Sequence, residues 1–367
     1  MDKTYALINL ENLKYNYEKI KEKLGGRKMA CVVKANAYGH GDKVVAPFLE
    51  SLGADFFCVS CLKEALSLRE SGVKGEILIL GYTDGENAKL LYDNNISQAV
   101  YSEEFAKMLS LNAEKQGVSV RVHIVIDTGM GRIGFTSSPE EIKKSVCLKG
   151  LSVEGVFTHY SSADMFDEES VKYTEMQEKL FRDKVDALKN LGFNFTYIHS
   201  CNSAAALKKS NDFTNLCRIG IILYGLLPSE EDYDIDLKPV LSFRSVVSMV
   251  KKMPMGKSVS YGRKYKTEKE TLIATVPVGY ADGYRRALEG SDVLINGKRC
   301  PVIGRVCMDQ IMVDVSGAGE VKMGDEVILI GGEISASEIA EKCDTISYEI
   351  VCNIGRRVSR YYYPEIK

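Results

Sequence analysis

The sequence contains no tryptophan and only four histidines. No window approaches ~18 uninterrupted apolar residues, which excludes a membrane-spanning helix. His40, His123, His159 and His199 show neither i, i+4 pairing nor Cys/His ligand spacing, so no metal site is expected. Charge of one sign is also missing: 48 Lys and Arg face 50 Asp and Glu, a net charge of −2. Neither nucleic acid nor a membrane surface is therefore expected as a partner. The N-terminal stretch "MDKTYALINLENLKYNYEK" lacks the apolar core of a secretory signal. Ten cysteines without such a signal read as reduced thiols, so a cytoplasmic protein is expected. Cys58 and Cys61 in "CVSC" have redox spacing, but their place between a strand and a helix reads as small apolar filling.

What is present is a regular alternation. Short runs rich in β-branched residues lie at 29–36, 55–61, 76–82, 97–102, 120–128, 153–160, 197–202 and 216–223. Amphipathic segments such as "EEFAKMLSLNAEKQG" separate them, with Leu and Met at three- and four-residue intervals. Eight such strand–helix units predict an α/β fold of the (β/α)8 TIM-barrel type over residues 1–232. Past the acidic, proline-bracketed "PSEEDYDIDLKP", glycine-punctuated β runs predict a second, mainly β domain over residues 233–367.

In such barrels functional groups sit at the C-terminal ends of the strands. Lys34, Asn36 and Tyr38 end the first run, Asp127 and Arg132 the fifth, and His159 the sixth. Asn202 and Ser203 follow the seventh, and Arg218 lies in the eighth. A lone lysine at a strand end is either a side chain reaching for solvent or an amine in a partly dry pocket, where desolvation makes it nucleophilic. Ser203, at a predicted helix start, is either an ordinary cap or part of a phosphate cradle. A phosphate site late in a barrel beside a reactive lysine suggests a phosphorylated carbonyl cofactor such as pyridoxal 5'-phosphate. "GMGRIG", Gly129–Gly134, has dinucleotide-fingerprint spacing, but Phe135, Ser137, Ser138 and Pro139 intervene before a helix. Those glycines are expected to shape a loop that holds Arg132.

The segments "VVKANAYGHG", "IDTGMGRIGF", "THYSSAD", "NSAA", "RIGIILYG", "SVSYG", "GYADGY", "GRVCMDQ" and "SYEIVCNIGRRV" together resemble the pyridoxal-phosphate-dependent alanine racemases, in family order over nearly the whole chain. The resemblance implies a homodimer with shared active sites and a small amino-acid substrate. It implies interconversion of L- and D-alanine by two bases, supplying D-alanine for peptidoglycan. Lys34 would carry the cofactor, and Tyr38, Ser203, Tyr348 and the backbone of Gly220 and Ile221 would bind its phosphate. Arg218 would face the pyridine nitrogen, with His159 and Asn202 lining the cofactor site. Arg132, Tyr280 and the Met308 backbone would meet substrate. Tyr261, from the other subunit, would be the second base. Many family members carry a carbamylated lysine where Val125 stands here, so Arg132 either takes another partner or anion, or is held less firmly. A serine or broader-specificity racemase, and a non-catalytic pyridoxal-phosphate-binding protein, share parts of this pattern.

Overall fold

The computed structural model describes residues 2–208 and 213–364. It divides into two compact units. One comprises Lys14–Ala37 and Asp42–Leu237; the other comprises the chain through Leu13, Tyr38–Gly41, and everything from Lys238 on.

The first unit is a parallel barrel of eight strands: Lys28–Val32, Phe56–Val59, Glu76–Ile79, Ile96–Val100, Val120–Val125, Leu151–Phe157, Tyr197–His199 and Leu216–Ile219. From the first to the seventh each pairs with the next, and the first also pairs with the eighth. Between the seventh and eighth, backbone bonds from Asn215 N to Ile198 O and from Arg218 N to Cys201 O (both 3.0 Å) nearly complete the closure. Phe56–Val59 and Ile96–Val100 are buried at every position. Strands covered on both faces favour continuous apolar sequence, as in Phe56–Val59; in Ile96–Val100 the buried Gln98 interrupts it and donates to Gly81 O (2.7 Å) and Ala99 O (2.9 Å). Cys58 is a buried member of the second strand, and Cys61 precedes the helix Leu62–Glu70.

The second unit is mainly β. Its six-stranded sheet runs Lys298–Pro301, Asp292–Ile295, Glu326–Ile330, Leu241–Val246, Tyr5–Asn9, Ser359–Tyr363. The chain's first strand, Tyr5–Asn9, therefore lies in this sheet, antiparallel to Leu241–Val246 and parallel to Ser359–Tyr363. Ala6 and Ile8 are buried while Tyr5, Leu7 and Asn9 are half-buried, the alternation of a strand whose two faces differ. The sequence boundary near 232 did not anticipate this strand. No helix among the described residues is long and apolar enough to cross a membrane.

Candidate active site

Lys34 leaves the first barrel strand at its C-terminal end, half-buried. The chain then makes a left-handed turn: Ala35, Asn36, Ala37 and Tyr38 have φ of 53°, 57°, 51° and 53°. None is glycine, and the left-handed form costs an L-residue about 1–2 kcal/mol. Such a turn persists only where its surroundings impose it. Ala37 N bonds to Val33 O (2.9 Å), and Asp42 N bonds to Asn36 Oδ1 (3.1 Å). Glu64 uses both carboxylate oxygens, accepting from Ala35 N and from Ser60 N (2.7 Å each). It thereby ties the turn to the end of the second strand. Gly39 follows with φ 84°, where a Cβ would lie 2.1 Å from Val351 O.

Arg218 is 3% exposed. Its Nη1 donates to His199 Nδ1 (2.8 Å) and to His199 O (3.2 Å). Its Nη2 donates to Thr158 O (2.8 Å), Ser200 O (3.2 Å) and His159 Nδ1 (3.3 Å). Among the described residues no carboxylate pairs with this guanidinium; its partners are carbonyls and imidazoles. Burial pushes its pKa down, although arginine still keeps its proton. A guanidinium held by carbonyls and imidazoles can donate to a neutral acceptor, such as an aromatic ring nitrogen, without giving up its proton.

Arg218, Arg132 and Lys34 all act electrostatically on His159, and Arg218 also touches it. Burial, then Arg218, Arg132 and Lys34 in that order, push its pKa down to about 3, so it is a neutral imidazole near pH 7. Lys34 and Arg218 also act on the Cys58 thiol, which burial pushes up to about 12. Asn202 and Ser203 share the expected helix start but divide the work differently. Asn202 Oδ1 caps the helix Ser203–Lys208 by accepting from Ala205 N (3.0 Å). Ser203 Oγ is left to accept from Gly220 N (3.0 Å), and Ile221 beside it is buried.

The "GMGRIG" glycines wrap a carboxylate. Asp127 Oδ1 accepts from Gly129, Met130 and Gly131 N (2.9–3.1 Å), and Gly131 N also reaches Oδ2 (3.1 Å). Phe135 N returns to Val125 O (2.8 Å), so no helix opens here to receive a pyrophosphate. Arg132 stands exposed on this loop with no ion-pair partner among the described residues, and Val125 is buried at the end of the fifth strand.

The β unit carries the remaining site residues. The Tyr38 and Tyr348 rings lie 6.1 Å apart. Tyr280 N donates to Cys307 O and Ala281 N to Met308 O (3.1 Å each), which joins Tyr280 to Met308. Arg357 fastens both loops, with ion pairs to Asp282 (2.6 Å) and Asp309 (2.8 Å). Tyr261 follows Ser260, whose φ of 63° and ψ of −175° belong to a region used almost only by glycine. Ser260 Oγ donates to Arg305 O (2.6 Å), holding that conformation two residues from Cys307. Tyr261, Tyr280 and Met308 are 67%, 45% and 52% exposed.

Glu64, His199 and His123 were not singled out from sequence for the site. Glu64 falls at the third position of its helix, a capping signal that could have marked it. His123 and His199, 76 residues apart, meet inside the barrel, with Nδ1 and Nε2 2.9 Å apart. Burial, with Arg121 and Arg218, pushes His123 down to about 3, and burial, then Arg218, holds His199 well below 6.5. Both are neutral when folded and take up a proton below about pH 6.5 when unfolded. Their stabilisation is complete above that pH and falls below it, by roughly 1.4 kcal/mol per pH unit for each histidine while it stays neutral in the fold, which for His123 extends down to about pH 3. Urea unfolding followed by far-UV dichroism should show a midpoint that drops from pH about 6.5 to about 4.5. A flat profile would contradict the buried neutral pair.

Comparison with known proteins accords with this geometry. Residues 8–228 match the family model for the alanine racemase N-terminal domain, and residues 240–362 that for the alanine racemase C-terminal domain. The chain is 42% identical over 369 residues to an alanine racemase of Clostridium tetani, covering 98% of this chain and 95% of that protein. It is 43% identical over 366 residues to one of Desulforamulus reducens, covering 98% of each. The alanine racemase structure from Clostridium difficile 630 superposes with a TM-score of 0.94 at 40% identity, covering 99% of this chain and 96% of that one. That of the Bacillus anthracis enzyme with bound L-Ala-P gives 0.93 at 37%, covering 100% and 96%. With both domain models matched in order and relatives aligned end to end, the chain belongs to the alanine racemase family.

Proposed function

We propose that this protein interconverts L- and D-alanine with pyridoxal 5'-phosphate, as a homodimer in which each active site joins one protomer's barrel to its partner's β unit. The observation that carries the cofactor is Arg218: a buried guanidinium with no carboxylate partner among the described residues, beside the histidine on which Lys34 and Arg132 also act. The residues fit the group. Lys34 would hold it through its amine. Ser203, the backbone of Gly220 and Ile221, and Tyr38 with Tyr348 would hold its phosphate, and Asn202 fixes the helix that presents Ser203. When bound, pyridoxal phosphate supplies the electron sink that makes the substrate α-proton removable. Arg218 tunes that sink, because a guanidinium donates a hydrogen bond to the ring nitrogen without giving up a proton. A weaker sink favours reversible proton transfer over bond cleavage.

The rest is proton handling. One base removes the α-proton and another, on the opposite side, returns one; Lys34 and the partner's Tyr261 fill these roles. His159 accepts from Arg218 at Nδ1, so its Nε2 carries the proton and can donate to a phenolate oxygen, favouring the ionised form. Arg132, with no ion-pair partner among the described residues, and the Met308 backbone N–H are suited to the substrate carboxylate, with Tyr280 limiting side-chain size. D-alanine made in this way would serve peptidoglycan synthesis. Purified protein loaded with pyridoxal phosphate should interconvert alanine enantiomers faster than those of any other amino acid, as read by chiral chromatography. Serine is the discriminating competitor, since an apolar pocket rejects an added hydroxyl by only about a hundredfold. Binding of the cofactor without interconversion of any amino acid would overturn the reading.

A further inference from the structure

Behind Arg218 the barrel interior holds a buried row of polar groups. Arg218 Nη1 lies 2.8 Å from His199 Nδ1, and His199 Nε2 lies 2.9 Å from His123 Nδ1. The direction of every bond in the row follows from one fact: arginine only donates. His199 must therefore accept at Nδ1, carry its proton on Nε2 and donate it to His123 Nδ1. His123 in turn carries its proton on Nε2, a buried atom with no hydrogen-bond partner among the described residues. An unsatisfied buried N–H costs free energy, so packing alone gives a poor account of a histidine here.

The surroundings hold this ring in place. His123 and His199 are both fully buried. The Tyr197 ring stacks on His123 at 5.6 Å and 17°, and Phe56 meets it edge-on at 6.1 Å. On the neighbouring strand stands Gly155, where a Cβ would come 2.5 Å from His123 Nδ1 and 2.6 Å from Cε1. The pairing register of these two strands shifts between Val122 and His123, at the point where the ring is accommodated. Glycine at 155 leaves the space that the imidazole fills.

We propose that His123 is a positioning residue for Arg218: by accepting from His199 it fixes the one tautomer in which His199 can accept from the guanidinium. Without that acceptor, His199 is free to place an N–H against an arginine that has no acceptor to offer, and Arg218 loses one of the two shortest of its five bonds while keeping those to His199 O, Thr158 O, Ser200 O and His159 Nδ1. The consequence for turnover rests on the reading of Arg218 as the group facing the cofactor nitrogen; the tautomer assignment does not.

The test has two arms. Long-range ¹H–¹⁵N spectra of protein labelled at its four histidines should show His123 and His199 both protonated at Nε2 and bare at Nδ1, with or without cofactor. In the second arm, His123→Asn keeps an acceptor near the Nδ1 position and His123→Leu does not. His123→Leu should lower kcat about 10- to 100-fold with KM little changed, and His123→Asn should recover most of the loss. A proton on Nδ1 of either histidine, or equal losses in the two variants, would overturn the proposal. Should His123→Leu fail to fold, the spectra of the unaltered protein and the activity of His123→Asn decide it. Correct tautomers in a protein that racemises no amino acid would sink the functional reading while leaving the row intact.

Discussion

Replacing Lys34 with alanine is expected to lower kcat/KM for alanine racemisation by about 10,000-fold or more, because one substitution removes both the cofactor's attachment and one of two bases. The absorbance band near about 420 nm expected of the loaded protein should vanish with it. Lys34 is half-buried at a strand end, and Glu64 holds the following turn through the backbone N–H of Ala35. The substitution should therefore leave the fold intact, with an unchanged far-UV spectrum. Lys34→Arg should lose as much, since a guanidinium keeps the charge beside His159 but cannot act as a nucleophile. Substantial racemisation by either variant would remove Lys34 from the mechanism.

Tyr261→Phe deletes one oxygen from an exposed ring, so its effect on folding should be small. Its effect on rate should be about 100- to 10,000-fold, and greater for proton removal from L-alanine than from D-alanine. Deuterium exchange followed separately from each enantiomer reads this directly, and equal losses would refute the stereochemical assignment. The shared site makes a second demand. Mixing Lys34→Ala chains with Tyr261→Phe chains should restore activity in heterodimers, each with one site carrying both bases. With free exchange about one quarter of all sites would be intact. No recovery after verified subunit exchange would place Tyr261 and Lys34 of one chain in the same site.

The barrel was legible because strands buried on both faces are mostly apolar and rich in β-branched residues, and each expected run overlaps an observed strand. Lys34 and His159 stand out in sequence for a related reason, as polar groups at the ends of such runs, and Arg218 as a charge inside one. Contacts made across the sequence were less visible. Tyr5–Asn9 pairs with Leu241–Val246 and Ser359–Tyr363, and nothing within its five residues points to either partner. The left-handed turn at Ala35–Tyr38 opposes local preference, since alanine and tyrosine favour negative φ. Its conformation is held with the help of Glu64, almost thirty residues away. Asn202 and Ser203 are both capable caps, and only the approach of Gly220 N decides which does what. The His123–His199 pair escaped because spacing rules search one helix or one loop, whereas a barrel joins strands through its interior.

The central claim is a covalent attachment at a single amine. Loading the protein with pyridoxal 5'-phosphate, reducing it with borohydride and mapping its peptides by mass spectrometry tests that claim most directly. A pyridoxyl group on Lys34 alone is the predicted result; the same group on another lysine, or on none, would contradict it.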